Sequence, residues 1–136
     1  MKENEFYTLK GYQLRNNVPI TEAMEDYLEM IYRHTNGKTP ITIKVLSTYL
    51  NVKPSSASKM ITRLKEQQLV DFQKYGVIHL TEKGKEIGSY LLWRHNILTK
   101  FFQKLNGDLF SLEQVEKIEH FIDTITLQNI EKLLNQ

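Results

Sequence analysis

Cysteine is absent from this sequence. Its absence removes disulfides, thiolate nucleophiles, iron–sulfur clusters and Cys-type zinc sites, so any metal must be held by His, Asp, Glu and carbonyl oxygens. Nor is there a run of about 18 apolar residues that could span a bilayer. The opening residues, MKENEFYTLKGYQ, lack the apolar core of a signal peptide. The expectation is a cytoplasmic protein with no membrane partner. Internal repeats and low-complexity tracts are missing too. What is there, 136 residues with 40% hydrophobic content, suits one compact core.

Net charge is small, a formal +2, but the charges are segregated. Between Lys38 and Lys104 stand twelve Lys or Arg against four Asp or Glu, a net +8, which leaves −6 for the flanks. A basic middle suits a polyanion such as DNA, and acidic flanks that meet in space would gather a cation.

Hydrophobic periodicity and capping residues divide the chain. Residues 1–20 are polar with scattered aromatics and read as an N-terminal arm. Thr21 is placed to cap a first helix in which Met24, Tyr27, Leu28, Ile31 and Tyr32 recur at helical spacing until Asn36-Gly37. Thr42 caps a short second helix carrying Val45, Leu46, Tyr49 and Leu50. The tight connection Asn51-Val52-Lys53 leads to Pro54, which is favourable at a first helical position because its missing N–H had no intrahelical partner. The third helix runs to about Gln68 and buries Ala57, Met60, Ile61 and Leu64. Residues Leu69 to Leu80 then read as two short strands about a turn near Tyr75-Gly76. Thr81 caps a long helix that ends at Asn106-Gly107, followed by a helix from Ser111 to about Asp123 and a last one carrying Ile125, Leu127, Ile130, Leu133 and Leu134. The predicted fold is mainly α with a small β wing. A winged helix-turn-helix domain at 21–81 precedes a helical region at 82–136.

On the third helix Ser55, Ser56, Ser58, Lys59, Thr62 and Arg63 lie on faces the core does not need, with Lys53 just ahead of them. Small hydroxyls near a helix start allow close entry into a major groove about 12 Å wide. Lys74 and Tyr75 at the wing tip would meet backbone phosphate. The expected partner is double-stranded DNA.

The acidic flanks hold a second constellation. Asp26 and Glu29 are three apart on the first helix and project from one face. Glu116, Glu119 and His120 are spaced to share a helix face in the same way, and His95 on the long helix could supply a sixth group. Crowding ligand-type groups together costs repulsion unless a cation or solvent offsets it. Each piece alone also fits an ordinary solvated acidic face.

Taken together, Met24-Glu25-Asp26-Tyr27-Leu28-Glu29, Pro54-Ser55-Ser56 with Lys59-Met60, Leu80-Thr81-Glu82-Lys83-Gly84-Lys85, Arg94-His95 and Glu116-Lys117-Ile118-Glu119-His120 resemble the DtxR/MntR metalloregulators, particularly the manganese-responsive branch, over about Thr21 to Ile130. The resemblance implies that Asp26, Glu29, His95, Glu116, Glu119 and His120 bind a manganese pair, two ions per subunit. It further implies a homodimer that represses metal-uptake genes by binding a palindromic operator when loaded. The 82–136 region would then be the metal-binding and dimerisation domain, with the apolar stripes from Leu112 to Leu134 as the dimer surface or as internal core. Iron-responsive relatives carry methionine at the position of Asp26 and cysteine at that of Glu116. Thr99 stands four residues after His95, where family members often have a carboxylate, and no counterpart of the SH3-like C-terminal domain of iron-type relatives is expected from these residues.

Carboxylates with a little imidazole suit Mn²⁺, although the affinity order allows Fe²⁺, Co²⁺ or Zn²⁺ to bind as well. Two other classes fit parts of the pattern: a winged-helix regulator that senses no metal, and a dinuclear metal-dependent hydrolase. For the hydrolase no nucleophile, oxyanion donors or substrate cleft is legible, and the DNA module would go unexplained. An enzyme is not expected.

Sorting DNA contacts into those that hold phosphate and those that read bases gives a first prediction. Lys74→Ala weakens binding to operator and scrambled duplexes alike and lowers the salt slope by about one unit. A bulky residue at Ser56 alters the preference between the two duplexes instead. Fluorescence-anisotropy titrations at several salt concentrations check both outcomes.

Overall fold

The computed structural model describes residues 20–36, 40–73 and 76–136. The N-terminal arm, apart from Ile20, and the wing-tip pair Lys74 and Tyr75 lie outside the described residues.

Helix α1 (Glu22–Thr35) starts where the Thr21 hydroxyl accepts the Met24 N–H at 3.2 Å. Glu22 and Glu25 lie in its first turn, Arg33 and His34 in its last, so the charges complement the helix dipole at both ends. Asn36 ends the helix in the left-handed region, at φ 51°. The apolar face carries Met24, Tyr27, Leu28 and Ile31, while Glu29, on the other side of the helix, is buried as well.

Helix α2 (Ile43–Leu50) is capped by Thr42 and closed by Asn51 at φ 56°, whose N–H bonds back to the Ser47 and Thr48 carbonyls. Val52 N–H then bonds to Ser47 O at 3.0 Å, fixing a sharp turn into α3 (Pro54–Glu66), with proline at its first position. Within α3, Ala57, Ile61 and Leu64 are buried. Met60, expected in the core, is only partly buried and packs against its edge.

Strands β1 (Val70–Phe72) and β2 (Ile78–Leu80) pair antiparallel, with Val70 opposite Leu80 and Phe72 opposite Ile78. Val70, Ile78 and Leu80 face inward while Asp71 and His79 face solvent, the period-two pattern of a sheet with one wet side. Ile41, just before α2, adds two backbone bonds to Ile78, at 3.2 and 2.7 Å, and stitches the wing to the helix-turn-helix.

Thr81 has two roles at the junction with α4 (Glu82–Asn106). Its hydroxyl donates to Gln68 O at 2.8 Å and accepts the Gly84 N–H at 3.1 Å, so it caps α4 and ties it to the end of α3. A Cβ at Gly84 would collide with the Leu69 carbonyl oxygen. At Gly88 a Cβ would stand 2.7 Å from Tyr32 Cβ, which is how closely α1 and α4 cross.

Two short helices follow, α5 (Leu112–Ile118) and α6 (Thr124–Leu134). The single helix expected from Ser111 to Asp123 is interrupted. It tightens into a 3-10 turn at Glu119–Phe121, and Ile122 and Asp123 are extended. The reason lies at Asp123, whose carboxylate accepts the Thr126 N–H at 2.8 Å; an N-cap needs non-helical backbone, so the cap of α6 forces the break.

The buried side chains form two clusters. One joins α1, α2, α3, the wing and the first half of α4 through Leu28, Ile31, Leu46, Ile61, Leu64, Ile78 and Leu91. The second joins the rest of α4 to α5 and α6 through Ile97, Leu98, Val115, Leu127 and Ile130. Tyr90 borders both, and α4 runs through both. The Trp93 indole N–H donates to Glu131 at 3.0 Å and pins α6 to α4.

Alanine is intrinsically favoured over glycine within a helix by about 1 kcal/mol. Gly84→Ala nevertheless destabilises, by about 2 kcal/mol, because its methyl meets backbone that cannot rotate away. Urea unfolding shows this as a lower midpoint with an unchanged slope.

Candidate metal centre and nucleic-acid interface

Four segments converge on one cluster. Helix α1 supplies Glu25, Asp26 and Glu29, α4 supplies Arg94 and His95, α5 supplies Glu116, and the 3-10 turn supplies Glu119 and His120. Glu119 was expected to share a helix face with Glu116 and His120, but α5 ends at Ile118. The tighter turn aims Glu119 inward, where its side chain is 0% exposed, while Glu116 stays at the rim at 44%.

Two triads of ligand-type atoms result, Asp26–Glu119–His120 and Glu29–His95–Glu119, each with its atoms within 4.8 Å of one another. Glu119 belongs to both. Around His95 Nδ1 stand Glu119 Oε2 at 3.0 Å, Glu116 Oε1 at 3.8 Å and Glu29 Oε2 at 3.9 Å. His120 Nε2 lies 3.2 Å from Asp26 Oδ1. All six residues expected from sequence are therefore brought together. Beside them opens a pocket of about 280 Å³ whose lining includes Asp26, Glu29 and Glu116, and also Tyr49 and Leu50 of α2.

The electrostatics are those of a site with surplus negative charge. Burial, then the negative charge of Glu119, pushes the Glu29 carboxyl up to about 7, against the opposing pull of His95 and Arg33. Burial and Glu119 likewise raise Glu116. The hydrogen bond to Glu119 raises His95, and hydrogen bonds to Asp26 and then Glu25 push His120 up to about 10. The proton on His120, and the same upward pull on His95, thus offset part of the negative charge of these carboxylates. The offset is incomplete, because Glu119 Oε1 is buried with no hydrogen-bond partner. An orphaned carboxylate oxygen at the point shared by two triads, in an oxygen-rich donor set, fits a divalent metal ion.

Three participants were missed by sequence reasoning. Glu25 Oε1 lies 2.8 Å from His120 Nδ1, and the buried Arg94 donates to the same oxygen at 3.1 Å, so a carboxylate and a guanidinium orient the imidazole. Arg33 Nη1 stands 3.5 Å from Glu29 Oε2. Arg94 and Glu25 are 69 residues apart and Glu25 and His120 are 95 apart, so only the packing of α1 on α4 reveals them. Thr99, one turn beyond His95, has a buried hydroxyl without a partner.

On α3 the chemistry expected to meet DNA faces outward. Ser55, Ser56, Lys59, Thr62 and Arg63 are exposed, as is Lys53, whereas Ser58 is half-buried. Thr62 donates its hydroxyl to Ser58 O at 3.0 Å. Lys65 reaches across to Phe72 O at 2.7 Å and ties α3 to the wing.

A winged helix-turn-helix whose first helix also feeds a buried carboxylate–imidazole cluster defines a class: DNA-binding proteins with an internal cation-type site. The family follows from comparison with known proteins. Residues 19–78 match the iron dependent repressor N-terminal DNA binding domain, and residues 81–136 match the iron dependent repressor metal binding and dimerisation domain. The chain belongs to this DtxR/MntR family of transcriptional regulators and is not an enzyme. It is 36% identical over 116 residues to the HTH-type transcriptional regulator MntR of Oceanobacillus iheyensis, covering 85% of this chain and 79% of that one. Among solved structures, the manganese regulator SloR superposes with a TM-score of 0.71 at 28% identity over 82% of this chain. A manganese-dependent transcriptional repressor in complex with manganese superposes with a TM-score of 0.70 at 26% identity, again over 82% of this chain. The matches cover 53% and 52% of those two chains, so this chain spans about half their length. No helix among the described residues is long and apolar enough to cross a membrane.

The raised groups give a pH prediction. In the free protein His120 holds its proton up to about pH 10 and Glu29 up to about pH 7, and a ligand must shed its proton to bind metal. Metal uptake therefore releases protons, and affinity rises with pH. Between pH 6 and 7.5 the dissociation constant falls by at least about tenfold per unit, the slope for one proton released. Calorimetric titrations in buffers of different ionisation enthalpy check it; a pH-independent affinity would contradict the protonation described here.

Proposed function

We propose that this protein is a cytoplasmic, Mn²⁺-activated transcriptional repressor that binds a palindromic operator as a homodimer and controls metal-uptake genes. One observation carries the reading: Glu119 is fully buried, shared by two ligand triads, and left with an unpartnered oxygen. Asp26, Glu29, His95, Glu116, Glu119 and His120 would hold two ions per subunit, with Glu119 common to both. When bound, the metal supplies the positive charge that offsets repulsion among these carboxylates. An oxygen-dominated set without sulfur favours Mn²⁺ while admitting Fe²⁺, Co²⁺ or Zn²⁺. The curated relative is named a transcriptional regulator of the MntR type, and one solved neighbour is described as a manganese-dependent repressor with manganese, which supports the same choice.

The chain's own residues supply the coupling. Asp26 and Glu29 belong to α1, whose opposite face packs into the same core as α2 and α3, so drawing α1 toward His95 and Glu119 fixes the position of the DNA-facing helix. The loaded arrangement must be the one that suits DNA, with coupling of about 1–3 kcal/mol typical of such linkage. Residues 21–81 form the DNA-binding part and 82–136 the metal-binding and dimerisation part. Leu105, Leu109, Leu112, Phe121, Ile125 and Leu133 are exposed on the latter and supply the dimer surface. Lys53, Ser55, Ser56, Ser58, Lys59, Thr62 and Arg63, with Lys74 and Tyr75 of the wing, meet the operator. Phosphate contacts set the register and the α3 hydroxyls approach base edges.

Replacing Glu119 by Gln removes the shared charge but preserves shape. The variant remains a folded dimer by sedimentation, while Mn²⁺ stimulation of operator binding falls by at least about tenfold, within the 10–100-fold range seen when a metal site is disturbed. Anisotropy titrations of operator DNA with and without Mn²⁺ measure this. Equal binding by the parent protein in both conditions would instead identify a winged-helix regulator that senses no metal.

A further inference from the structure

Two arginines border the metal cluster, and they are held differently. Arg94 is buried at 3% exposure, 3.1 Å from Glu25 Oε1 and 3.4 Å from His120 Nδ1, so its charge is locked behind the Asp26–Glu119–His120 half. Arg33 sits one helical turn after Glu29, at the mouth of the other half. Its guanidinium is 3.5 Å from Glu29 Oε2, its side chain is 34% exposed against 7% for Glu29, and it lines the same pocket as Asp26, Glu29 and Glu116. A guanidinium on a partly exposed, flexible stem can leave a carboxylate when a stronger cation arrives, whereas Arg94 has nowhere to go.

We propose that Arg33 is a tethered competitor of the metal: it neutralises Glu29 in the free protein, must be displaced when the Glu29–His95–Glu116–Glu119 half fills, and so sets how tightly that half holds its ion. Arg33 is not a ligand but a residue that determines affinity, and the inference rests on the reading of this cluster as a metal site. Its charge is felt beyond its own ion pair, since it also opposes proton uptake at Glu116 and at His95. A divalent ion meets the same field with twice the charge. The Asp26–Glu119–His120 half, whose neighbouring guanidinium is fixed, lacks this adjustment. Arg33 therefore acts on one of the two uptake steps and not on the other.

The test is calorimetric titration of the intact protein with Mn²⁺, comparing the parent with Arg33→Gln, Arg33→Met and Arg33→Lys. Circular dichroism and thermal melting of each variant establish that it is folded, and the Gln and Met variants carry the same expectation independently. Removing the charge tightens one of two binding steps by about tenfold and leaves the other within about twofold. Arg33→Lys, which keeps the charge, stays within about twofold of the parent in both steps. The difference between parent and Arg33→Gln narrows in about 1 M KCl, because the charge is partly exposed and is screened there. The proposal is overturned if the neutral variants bind as the parent does or more weakly, if both steps tighten equally, or if Arg33→Lys tightens as much as Arg33→Gln. A parent protein that takes up no Mn²⁺ at all would instead overturn the metal reading itself, and the role of Arg33 with it.

Discussion

A carboxylate with no access to water governs this structure. Glu119 sits where α1, α4 and the turn after α5 meet, and an ionised group in such a place needs compensation close at hand. The His95 ring provides one contact. The second oxygen is left over, and around it the chain has gathered four more acidic or imidazole side chains rather than apolar ones. Repulsion among these side chains works against the packing that the two hydrophobic clusters favour. The contest is one of charge against burial, and a divalent ion held by these side chains would offset it.

That contest reaches the DNA-facing helix because α1 belongs to both regions. Its apolar face, from Met24 to Ile31, lies in the core that supports α2 and α3, and its polar face carries Asp26 and Glu29. The pocket beside the cluster extends to Tyr49 and Leu50 of α2, so the helix-turn-helix forms part of the wall of the sensor. The Glu25–Arg94 ion pair, with Arg94 almost fully buried, fixes the crossing of α1 and α4 near the site. The close approach at Gly88 fixes it a turn or two away.

How much of this could be read from sequence depended on how local the cause was. Thr21, Thr42, Pro54 and Thr81 mark helix starts through bonds made within a few residues, and each stands where its helix begins. Alternation in Val70-Asp71-Phe72 and Ile78-His79-Leu80 was enough for the wing. The six ligand-type residues were legible because their types are unusual at those spacings and match a family pattern. Non-local causes were not legible. Arg33 reads as an ordinary i, i+4 partner of Glu29 until the pocket is seen, and nothing near Arg94 in sequence announces Glu25 or His120. The break at Glu119 was hidden as well, since no glycine or proline marks it, and the cap at Asp123 that enforces it resembles a helix interior until the next helix is placed.

Helix α4 has 25 residues, which makes it a rod about 37 Å long. One end is bolted to the wing and α3 through Thr81, and the other carries α5 and α6. On such a lever a tilt of about 5° displaces the far end by about 3 Å, close to the rise of one base pair along DNA. Angular tolerance where α1 crosses this rod is thereby converted into a displacement of α5 and α6 relative to α1 and the helices packed on it. A sensor built at the crossing can act on the register of a double helix without rearranging the element that touches it.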